Sequence, residues 1–537
     1  MSASPRTFYI TTPIYYVNDR PHIGHSYTTT VCDVAARFHR FLGLEVFFLT
    51  GTDEHGIKVE KSAAERGVSP QALADENAAE FQRILRMLDF TNDDFIRTTE
   101  RRHTLQVERF VQRLIASGDI YLGQYEGWYD EGQEEFVADT RAKDQEYKST
   151  VSGKPLVRMR EENYFFRLSA YQQRLDQLYR DQPEFVRPEA RRNEMLGRLR
   201  DGLADVPVTR TSFSWGIPIP GQGEHVLWVW LDALSNYITA LGMGLSPDET
   251  DLVPRDRARF WPADYHVIGK EILFFHAIFW PAMLMALDLP LPRCIYAHSF
   301  WISEGRKMSK SLGNFIDLPT IQGYIDSFSL DAFRWFLITQ GPLGSTDTDF
   351  ARAKFIEVYN SDLANTLGNS LSRVVNMIDK YFDGRVPAPG NHTVDGFDWP
   401  TITSAAVDRT IAAMGRLELA EAMSSALGLV RHVDAFIDAT RPFTMAKDES
   451  KRSELAAVLY QCAETLRIAS VLLWCAMPNK IEQAWRMLGQ TIDPSGGNLR
   501  DLGRWGGLKP ETPVVKGEAL FPRFVQPPDQ PDKVSQS

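Results

Sequence analysis

The sequence has little cysteine: Cys32, Cys294, Cys462 and Cys475 are its only thiols, spread over 537 residues. So few cysteines, so far apart, exclude a disulfide framework and a thiolate zinc site, both of which need closely spaced cysteines. We therefore expect four free thiols inside hydrophobic cores.

The chain also lacks a long hydrophobic run. Its longest nearly apolar stretch, residues 272–287, contains His276 and is shorter than the roughly 20 residues that cross a bilayer, so we expect a buried core segment. The N-terminus carries only Arg6 before strand-like residues begin and has neither a signal-peptide core nor an Arg-rich transit segment. A cytoplasmic protein with no membrane partner is expected.

Positive charge is not in excess either, since 59 Lys and Arg against 70 Asp and Glu give a net charge of -11. This balance argues weakly against nonspecific attraction to polyphosphates, but a nucleic-acid-binding protein needs only a local basic surface. A hydrophobic content of 43%, with 12 Trp, 18 Tyr and 31 Phe, indicates large packed cores and three or four domains.

The N-terminal pattern is strand, helix, strand. Residues 7–12 and 45–50 predict strands and residues 24–41 a helix, which together begin a doubly wound α/β domain. From about residue 116 to 222, charged helical and short strand segments replace this pattern. We interpret that region as an insertion that splits the α/β domain.

The α/β pattern resumes in strands at residues 265–268 and 294–301, with an apolar helix at 271–287 between them. After residue 350 a helical period dominates to about 486, broken by a Pro- and Gly-rich loop at 384–400. The predicted domains are a first catalytic half (1–115), a connective insertion (116–225), a second half (226–350), a helical domain (351–510) and a Pro-rich tail (511–537).

The sequence His22-Ile23-Gly24-His25 follows the first predicted strand and Pro21, so it opens a helix whose free N–H groups face an anion. The two imidazoles share one helical face and can donate to a phosphate as charge develops on it. Gly24 allows a flat ring to approach the backbone. The competing interpretation is that this tetrapeptide occurs by chance and has no role in binding.

A second motif, Lys307-Met308-Ser309-Lys310-Ser311, occupies a polar loop after the 294–301 strand, where open α/β sheets bind ligands. Two flexible ammonium groups suit the β- and γ-phosphates of a nucleotide, because their contacts can strengthen in the transition state. A lone Lys pair would more simply be a solvated basic turn. The full pentapeptide on the second half of the same split sheet favours a triphosphate site.

Together these two motifs resemble the HIGH and KMSKS elements of class I aminoacyl-tRNA synthetases. The resemblance implies a split Rossmann-type doubly wound parallel sheet with an inserted connective domain, followed by an all-α anticodon-binding helical bundle. Within the class the chain is similar to the methionyl-tRNA synthetase family over about residues 10 to 525. The matching segments are Thr11-Thr12-Pro13-Ile14-Tyr15-Tyr16-Val17-Asn18, Gly51-Thr52-Asp53-Glu54-His55-Gly56, Phe213-Ser214-Trp215-Gly216-Ile217-Pro218, Val229-Trp230-Leu231-Asp232-Ala233, Ile268-Gly269-Lys270-Glu271, and Asn360 to Asn369.

The resemblance implies an L-methionine site. Methionine has an ammonium, a carboxylate and an uncharged thioether, so its pocket reads shape and soft contacts, and sulfur beside aromatic rings gains about 0.3–1.5 kcal/mol. By matching family positions, Asp53 holds the ammonium. The side chain is enclosed by Ile14, Tyr16, Trp230, Ala233, Leu234, Tyr237, Ile272 and His276.

The resemblance also implies an ATP site with Mg²⁺ bound mostly to the nucleotide. The catalytic residues would be His22, His25, Lys307 and Lys310. The nucleotide would contact these four residues and Gly24, Lys270, Glu271 and Ser309. No covalent nucleophile is needed, because the methionine carboxylate itself attacks the α-phosphorus. The protein positions the two substrates and stabilises the charge of the transition state.

The implied product is methionyl-tRNA(Met), including the initiator, formed by attack of a ribose hydroxyl of the terminal adenosine on the adenylate. Homocysteine lacks one methyl group, a difference worth only about 1–3 kcal/mol in an apolar pocket, so editing by cyclisation to a thiolactone in the same site is expected from the family.

The sequence departs from many relatives in two places. Gly127-Trp128-Tyr129 is followed by Asp130-Glu131-Gly132-Gln133 where those relatives carry zinc-binding cysteines, so we expect no structural zinc and no metal-ligating residues. In the helical domain, family matches indicate Asn369 and Arg373 as anticodon readers, and Phe443 stands where the family has a stacking tryptophan.

Three alternatives are weighed against this interpretation. A leucyl-, isoleucyl- or valyl-tRNA synthetase would share both motifs but carry a larger editing insertion and a longer chain. A catalytically silent tRNA-binding protein would not need both motifs intact. A small nucleotidyltransferase would not need the helical domain. Dimeric relatives have a further C-terminal OB-fold, for which there is no room here, so a monomer is expected.

Overall fold

The computed structural model describes residues 6–17, 21–131, 135–137, 139–246, 248–249, 251–306, 308, 314–390 and 392–525. The predicted strand, helix, strand unit is present at the N-terminus. Residue ranges of this first part are β1 Thr7–Thr11, β2 Tyr15–Tyr16, α1 Ile23–Phe41, β3 Glu45–Asp53, α2 Ile57–Arg66, α3 Pro70–Met87, β4 Asp94–Arg97 and α4 Arg101–Ala116.

The insertion is built on a long antiparallel pair, in which β5 and β7 are in register from Ile120 opposite Phe166 to Tyr129 opposite Val157. β6 and β9 extend it to four strands, and β10, β12 and β11 form a separate three-stranded sheet. The ranges are β5 Ile120–Asp130, β6 Glu135–Val137, α5 Asp139–Asp144, β7 Val157–Phe166, a 3₁₀ turn Leu168–Tyr171, α6 Gln172–Asp181, β8 Val186–Arg187, α7 Glu189–Arg200, β9 Val206–Pro207, β10 Thr209–Arg210, β11 Pro218–Ile219 and β12 Gln222–Leu227.

The second half of the α/β domain follows the insertion. Its ranges are α8 Val229–Thr239, a 3₁₀ segment Arg255–Phe260, β13 Tyr265–Gly269, a 3₁₀ turn Lys270–Ile272, a π-helical turn Phe275–Phe279, α9 Trp280–Ala286, β14 Ile295–His298, β15 Trp301–Ser303, α10 Leu318–Phe328, α11 Leu330–Gln340 and β16 Thr348–Phe350.

The main sheet has seven parallel strands in the order β2-β3-β1-β13-β14-β8, with β4 also paired to β3. This arrangement confirms the predicted doubly wound α/β class. The strand β8 lies within the predicted insertion yet pairs with β14. A two-residue strand is too short to show periodicity, so no pattern in the sequence predicts it.

Two predicted elements differ from the structure. The apolar helix predicted at 271–287 begins with 3₁₀ and π-helical turns. Pro281, in the first turn of α9, has no N–H to bond the carbonyl four residues earlier. That carbonyl, of Ala277, instead accepts from the Tyr179 hydroxyl at 2.9 Å. The strand predicted at 294–301 is two strands: β14 stays in the main sheet, and β15 leaves it to pair with β16.

The C-terminal part is helical, as predicted. Its ranges are α12 Arg352–Val358, a π-helical segment Tyr359–Gly368, α13 Asn369–Tyr381, α14 Trp399–Gly415, α15 Leu419–Thr440, α16 Pro442–Met445, a 3₁₀ turn Glu449–Lys451, α17 Arg452–Leu473, α18 Pro478–Met487, a 3₁₀ turn Pro494–Gly496 and α19 Leu499–Leu502. One helix of the described chain, Glu449–Leu473, is long and apolar enough to cross a membrane, and most of it is buried in the bundle core.

A buried ionic contact joins α1 to the bundle. Arg334 of α11 donates to the carboxylate of Asp33 in α1 and to the carbonyls of Cys475 and Ala476 after α17. Burial alone would raise the pKa of Asp33, but Arg334 and Arg37 outweigh it and lower that pKa. The helix that His22 caps is therefore fixed near its middle to the helical domain.

Candidate active site

A cavity of about 360 Å³ opens between the N-terminus of α1, the carboxyl ends of β3 and β13, and α8. This is the edge at which open parallel sheets bind ligands. Its lining residues are Pro13, Ile14, Tyr15, Tyr16, His22, Gly24, His25, Thr28, Asp53, Lys58, Val229, Trp230, Ala233, Leu234, Asn236, Tyr237, Gly269, Glu271, Ile272, His276, His298 and Phe300.

His22 and His25 form a reciprocal cap at the start of α1. The Nδ1 of His22 accepts from the Gly24 N–H at 3.0 Å, and the Nδ1 of His25 accepts from the His22 N–H at 3.1 Å. A neutral imidazole that accepts at Nδ1 carries its proton on Nε2. The cap therefore fixes both rings in the tautomer that has an Nε2–H donor.

Burial keeps His25 neutral. Its ring lies against Tyr15, Phe81 and His22, with ring centroids 4.7, 5.2 and 3.9 Å away. Burial, and then the nearby His22, lower the pKa of His25 well below its usual value. The helix N-terminus can thus offer two imidazole Nε2–H groups and a positive dipole to a phosphate, with a neutral His25 at physiological pH.

The structure brings together every residue predicted for the amino acid. Tyr16 of β2 is the register partner of Asp53 at the end of β3, and both line the cavity. The nine predicted residues that line the one cavity are Ile14, Tyr16, Asp53, Trp230, Ala233, Leu234, Tyr237, Ile272 and His276.

One part of this cavity wall is aromatic and uncharged. The Tyr237 hydroxyl bonds Nε2 of His276 at 2.8 Å, and Nδ1 of His276 lies 3.0 Å from the carbonyl of Ile272. Because the carbonyl only accepts, Nδ1 carries the proton and Tyr237 donates to Nε2. Burial lowers the pKa of His276 to about 4, and Trp230 stacks on Phe275 at 3.9 Å. This surface suits a thioether.

The residues predicted for the nucleotide are partly assembled. Gly24 and Glu271 line the cavity with the two histidines. The Glu271 side chain folds back over Gly269, where a Cβ would lie 2.4 Å from one of its carboxylate oxygens. Lys270 does not line the cavity: its ammonium bonds Asp347 at 2.6 Å and lies 4.6 Å from the centre of the Phe300 ring.

Lys307, Ser309 and Lys310 lie outside the described residues. The segment that follows them reaches the cavity, because the Ile23 N–H donates to the carbonyl of Ile316 at 3.0 Å. The ring of Phe315 is 5.2 Å from that of His22. The described chain after the second motif therefore lies beside the first motif.

Sequence analysis missed several lining residues, among them Lys58, Thr28 and His298. Thr28 of α1 and His298 at the end of β14 are 2.7 Å apart, between Oγ1 and Nε2. His298 ends a parallel strand at the ligand-binding edge, a position that could have indicated it. Lys58 gave no local signal, because one basic residue in an amphipathic helix is common.

The residues predicted for the anticodon lie on the helical bundle, away from the cavity. Asn369 begins α13 and is exposed. Arg373 is 3.5 Å from Asp434 and 3.7 Å from Asp438, both on α15. Phe443 lies just beyond the end of α15 and is 44% exposed, which is unusual for a large aromatic side chain.

The four cysteines are free and buried, as predicted. Within the described ranges, no three His, Cys, Asp or Glu side chains are grouped so that they could hold a metal ion. The sequence has no cysteine between Cys32 and Cys294, and an insertion without zinc stays a prediction.

Comparison with known proteins identifies the family. A family model described as tRNA synthetases class I (M) matches residues 8–375. The methionine–tRNA ligases of Halalkalibacterium halodurans and Bacillus subtilis are each 44% identical, over 98% of this chain and 79% of theirs. The methionyl-tRNA synthetase of Mycobacterium tuberculosis in complex with methionyl-adenylate superposes with a TM-score of 0.86, at 36% identity over 96% of this chain and all of that one. The chain therefore belongs to the methionyl-tRNA synthetase family of class I tRNA synthetases.

Proposed function

We propose that the chain is a methionine–tRNA ligase. It activates L-methionine with ATP to methionyl-adenylate and pyrophosphate, and transfers the methionyl group to the terminal ribose of tRNA(Met), including the initiator. The observation that carries this proposal is the single cavity in which a capped helix N-terminus, Asp53 and an uncharged aromatic surface meet. A relative of the same fold is named with methionyl-adenylate bound.

The amino-acid end of the cavity supports recognition by charge at one point and by shape elsewhere. The carboxylate of Asp53 binds the methionine ammonium. Trp230, Tyr237 and His276 then face the thioether. Because the Tyr237–His276 pair is neutral, binding of the thioether does not remove a charged group from water. Longer, shorter or charged side chains either clash or leave groups of the pocket without contacts.

The phosphate end supports adenylate formation by positioning. An oxygen of the methionine carboxylate attacks the α-phosphorus, the new P–O bond forms, and the bond to the β-phosphate breaks to release pyrophosphate. The Nε2–H groups of His22 and His25 donate to the oxygens on which charge develops. Glu271 contacts the ribose, and Lys307, Ser309 and Lys310 contact the phosphates. Lys270 joins them by exchanging its bond to Asp347 for one to a phosphate.

ATP is the energy source, and Mg²⁺ enters with it. As is usual for Mg²⁺ in nucleotide sites, the phosphates of the nucleotide and water supply most of the ion's ligands. When bound, the ion neutralises phosphate charge. The histidines and lysines of the protein orient the same phosphates.

The second step brings the acceptor end of tRNA to the cavity, guided by the insertion, while the bundle reads the anticodon. Asn369 and Arg373 bond base edges and Phe443 stacks on a base, which its exposure permits. The proposal includes a monomeric, cytoplasmic enzyme with the domain bounds predicted above.

The test is ATP–pyrophosphate exchange with each of the twenty amino acids, using the whole protein and the variants His25→Ala and His39→Ala. His39 is a buried histidine in the last turn of α1, is stacked on Phe8 and does not line the cavity. Methionine alone should drive exchange, His25→Ala should abolish it, and His39→Ala should retain it. Exchange with no amino acid would favour the catalytically silent tRNA-binding alternative, and exchange with another amino acid would refute methionine as substrate.

A further inference from the structure

A third histidine, His266, lies directly behind the amino-acid wall of the cavity. It belongs to β13, is fully buried and does not line the cavity. Its Nδ1 is 2.8 Å from Oγ1 of Thr11 in β1, and the Trp280 indole N–H donates to its Nε2 at 3.4 Å. Both nitrogens of the ring therefore have partners on different elements.

These contacts determine the protonation of His266. The Trp280 indole can only donate, so Nε2 of His266 accepts and Nδ1–H donates to Thr11. Burial, followed by the nearby His276, lowers the pKa of His266 well below its usual value, which agrees with a neutral ring. The ring is thus held in one tautomer and one orientation.

His266 supports Tyr237, which does line the cavity. The two rings are stacked, with centroids 4.1 Å apart and planes 29° from parallel. The carbonyl of Tyr237 accepts from the Tyr9 hydroxyl at 2.8 Å, and the Tyr237 hydroxyl donates to His276. Trp280 also contacts the Tyr237 ring, at 5.9 Å between centroids, but His266 is the ring stacked on its face. Because the backbone and hydroxyl of Tyr237 are both anchored, the stacked His266 ring resists movement of the Tyr237 ring away from the cavity.

We propose that His266 is a positioning residue that sets the depth of the cavity, and hence the discrimination between methionine and longer thioether amino acids. The inference rests on the proposed function, since it takes Tyr237 and His276 as the wall that the methionine side chain meets. Because the stack holds Tyr237 in place, the cavity is deep enough for an S-methyl group and too shallow for an S-ethyl group.

The expected effect is a change in selectivity. One methylene in an apolar pocket is worth roughly 10- to 200-fold in kcat/KM. In His266→Ala the Tyr237 ring can retreat, so the ratio of kcat/KM for ethionine to that for methionine should rise about tenfold. In His266→Asn the amide can keep the bond to Thr11 but not the stack, and the ratio should rise by a smaller factor.

The experiment measures ATP–pyrophosphate exchange with methionine and with ethionine for the whole protein, both His266 variants and His39→Ala. His39 is the matched control, because it is buried and stacks on Phe8 at 3.8 Å without supporting a cavity residue. A merely structural role lowers both activities together and leaves their ratio unchanged. The control should therefore keep the ratio of the wild type.

An unchanged ratio in folded His266 variants would overturn the inference. If His266→Ala does not fold, His266→Asn decides. If exchange by the variants is too slow to measure, the same ratio is taken from the dissociation constants of the two amino acids by titration calorimetry. Failure of the wild type to exchange with methionine would instead refute the proposed function, so the two failures are distinguishable.

Discussion

His22 and His25 each accept a hydrogen bond at Nδ1 within the helix cap. His276 in the cavity wall and His266 behind it each accept at Nε2. These bonds place the ring proton on one chosen nitrogen in each case. At the scale of single residues, the site therefore combines a donor-rich end for phosphates with an uncharged end for a side chain. Asp53 supplies the fixed negative charge near the second end.

Replacing that charge should weaken amino-acid binding. In Asp53→Asn the ammonium loses a charge-assisted hydrogen bond worth about 1.5–3 kcal/mol, so KM for methionine in exchange should rise about 10- to 150-fold with a smaller change in kcat. Asp326→Asn, at an exposed position of α10, is the control and should match the wild type. Equal KM values for the two variants would show that Asp53 does not hold the ammonium.

At the scale of elements, a single buried carboxylate organises the loop after α19. Glu464 of α17 accepts from the backbone N–H groups of Gly506, Gly507 and Leu508 at 2.7–2.9 Å. Arg467, one turn further, donates to Glu464 and to the carbonyl of Arg504. The loop has no regular structure of its own, so its order depends on this pair.

The variant Glu464→Gln should therefore unfold more easily. It keeps the shape of the side chain but leaves Arg467 without its buried counter-charge, a loss of about 3–5 kcal/mol. Urea or thermal unfolding measures the effect, with Glu454→Gln on the exposed face of the same helix as control. Coincident unfolding curves for the two variants would contradict the role given to Glu464.

Some turns of the structure depend on partners that are distant in sequence, and local patterns do not predict them. Apolar periodicity located the segment after Lys270 but not its 3₁₀ and π turns. Within the π turn the Ala277 carbonyl accepts from Tyr179, which comes from the predicted insertion. Likewise, the turn at Ser299 and Phe300 is stabilised by bonds to Pro342 and Thr348 far along the chain. Partners so distant in sequence leave no local pattern.

At the scale of the whole molecule, buried histidines should make stability depend on pH. Burial is the main cause that lowers the pKa of His39, His276 and His298 to about 4, and it lowers those of His25 and His266 well below the usual value. In the unfolded chain these groups titrate near pH 6.5. Between about pH 6.5 and 4 the unfolded state thus binds more protons, and stability falls as pH falls.

The urea midpoint should accordingly be lower at pH 6.0 than at pH 7.5, with proton uptake on unfolding. The contribution is fully present above about pH 6.5 and decreases towards pH 4. His39→Asn and His276→Asn should each reduce the pH dependence. A midpoint that is constant over this range would mean that the histidines are not held neutral.

The two ends of the molecule should be separable in function. Phe443→Ala removes a stacking surface worth about 1–3 kcal/mol, so charging of tRNA(Met) should fall about 5- to 150-fold while methionine-dependent exchange is unchanged. Val68→Ala, at another exposed apolar side chain, is the control. A parallel loss of both activities would place Phe443 in the support of the fold instead of the anticodon contact.

The sequence by itself determined the α/β class, the helical C-terminal part and the places of the two motifs. Through family resemblance it also predicted the nine amino-acid residues that line the cavity. These features are local, because a helix N-terminus, a strand end and a periodic apolar face each depend on neighbouring residues. Only the tertiary structure decided the tautomers of the buried histidines, the place of His266 behind Tyr237, the pairing of Lys270 with Asp347 and the return of β8 to the main sheet. Each of these depends on partners brought together by long-range packing, which no local pattern encodes.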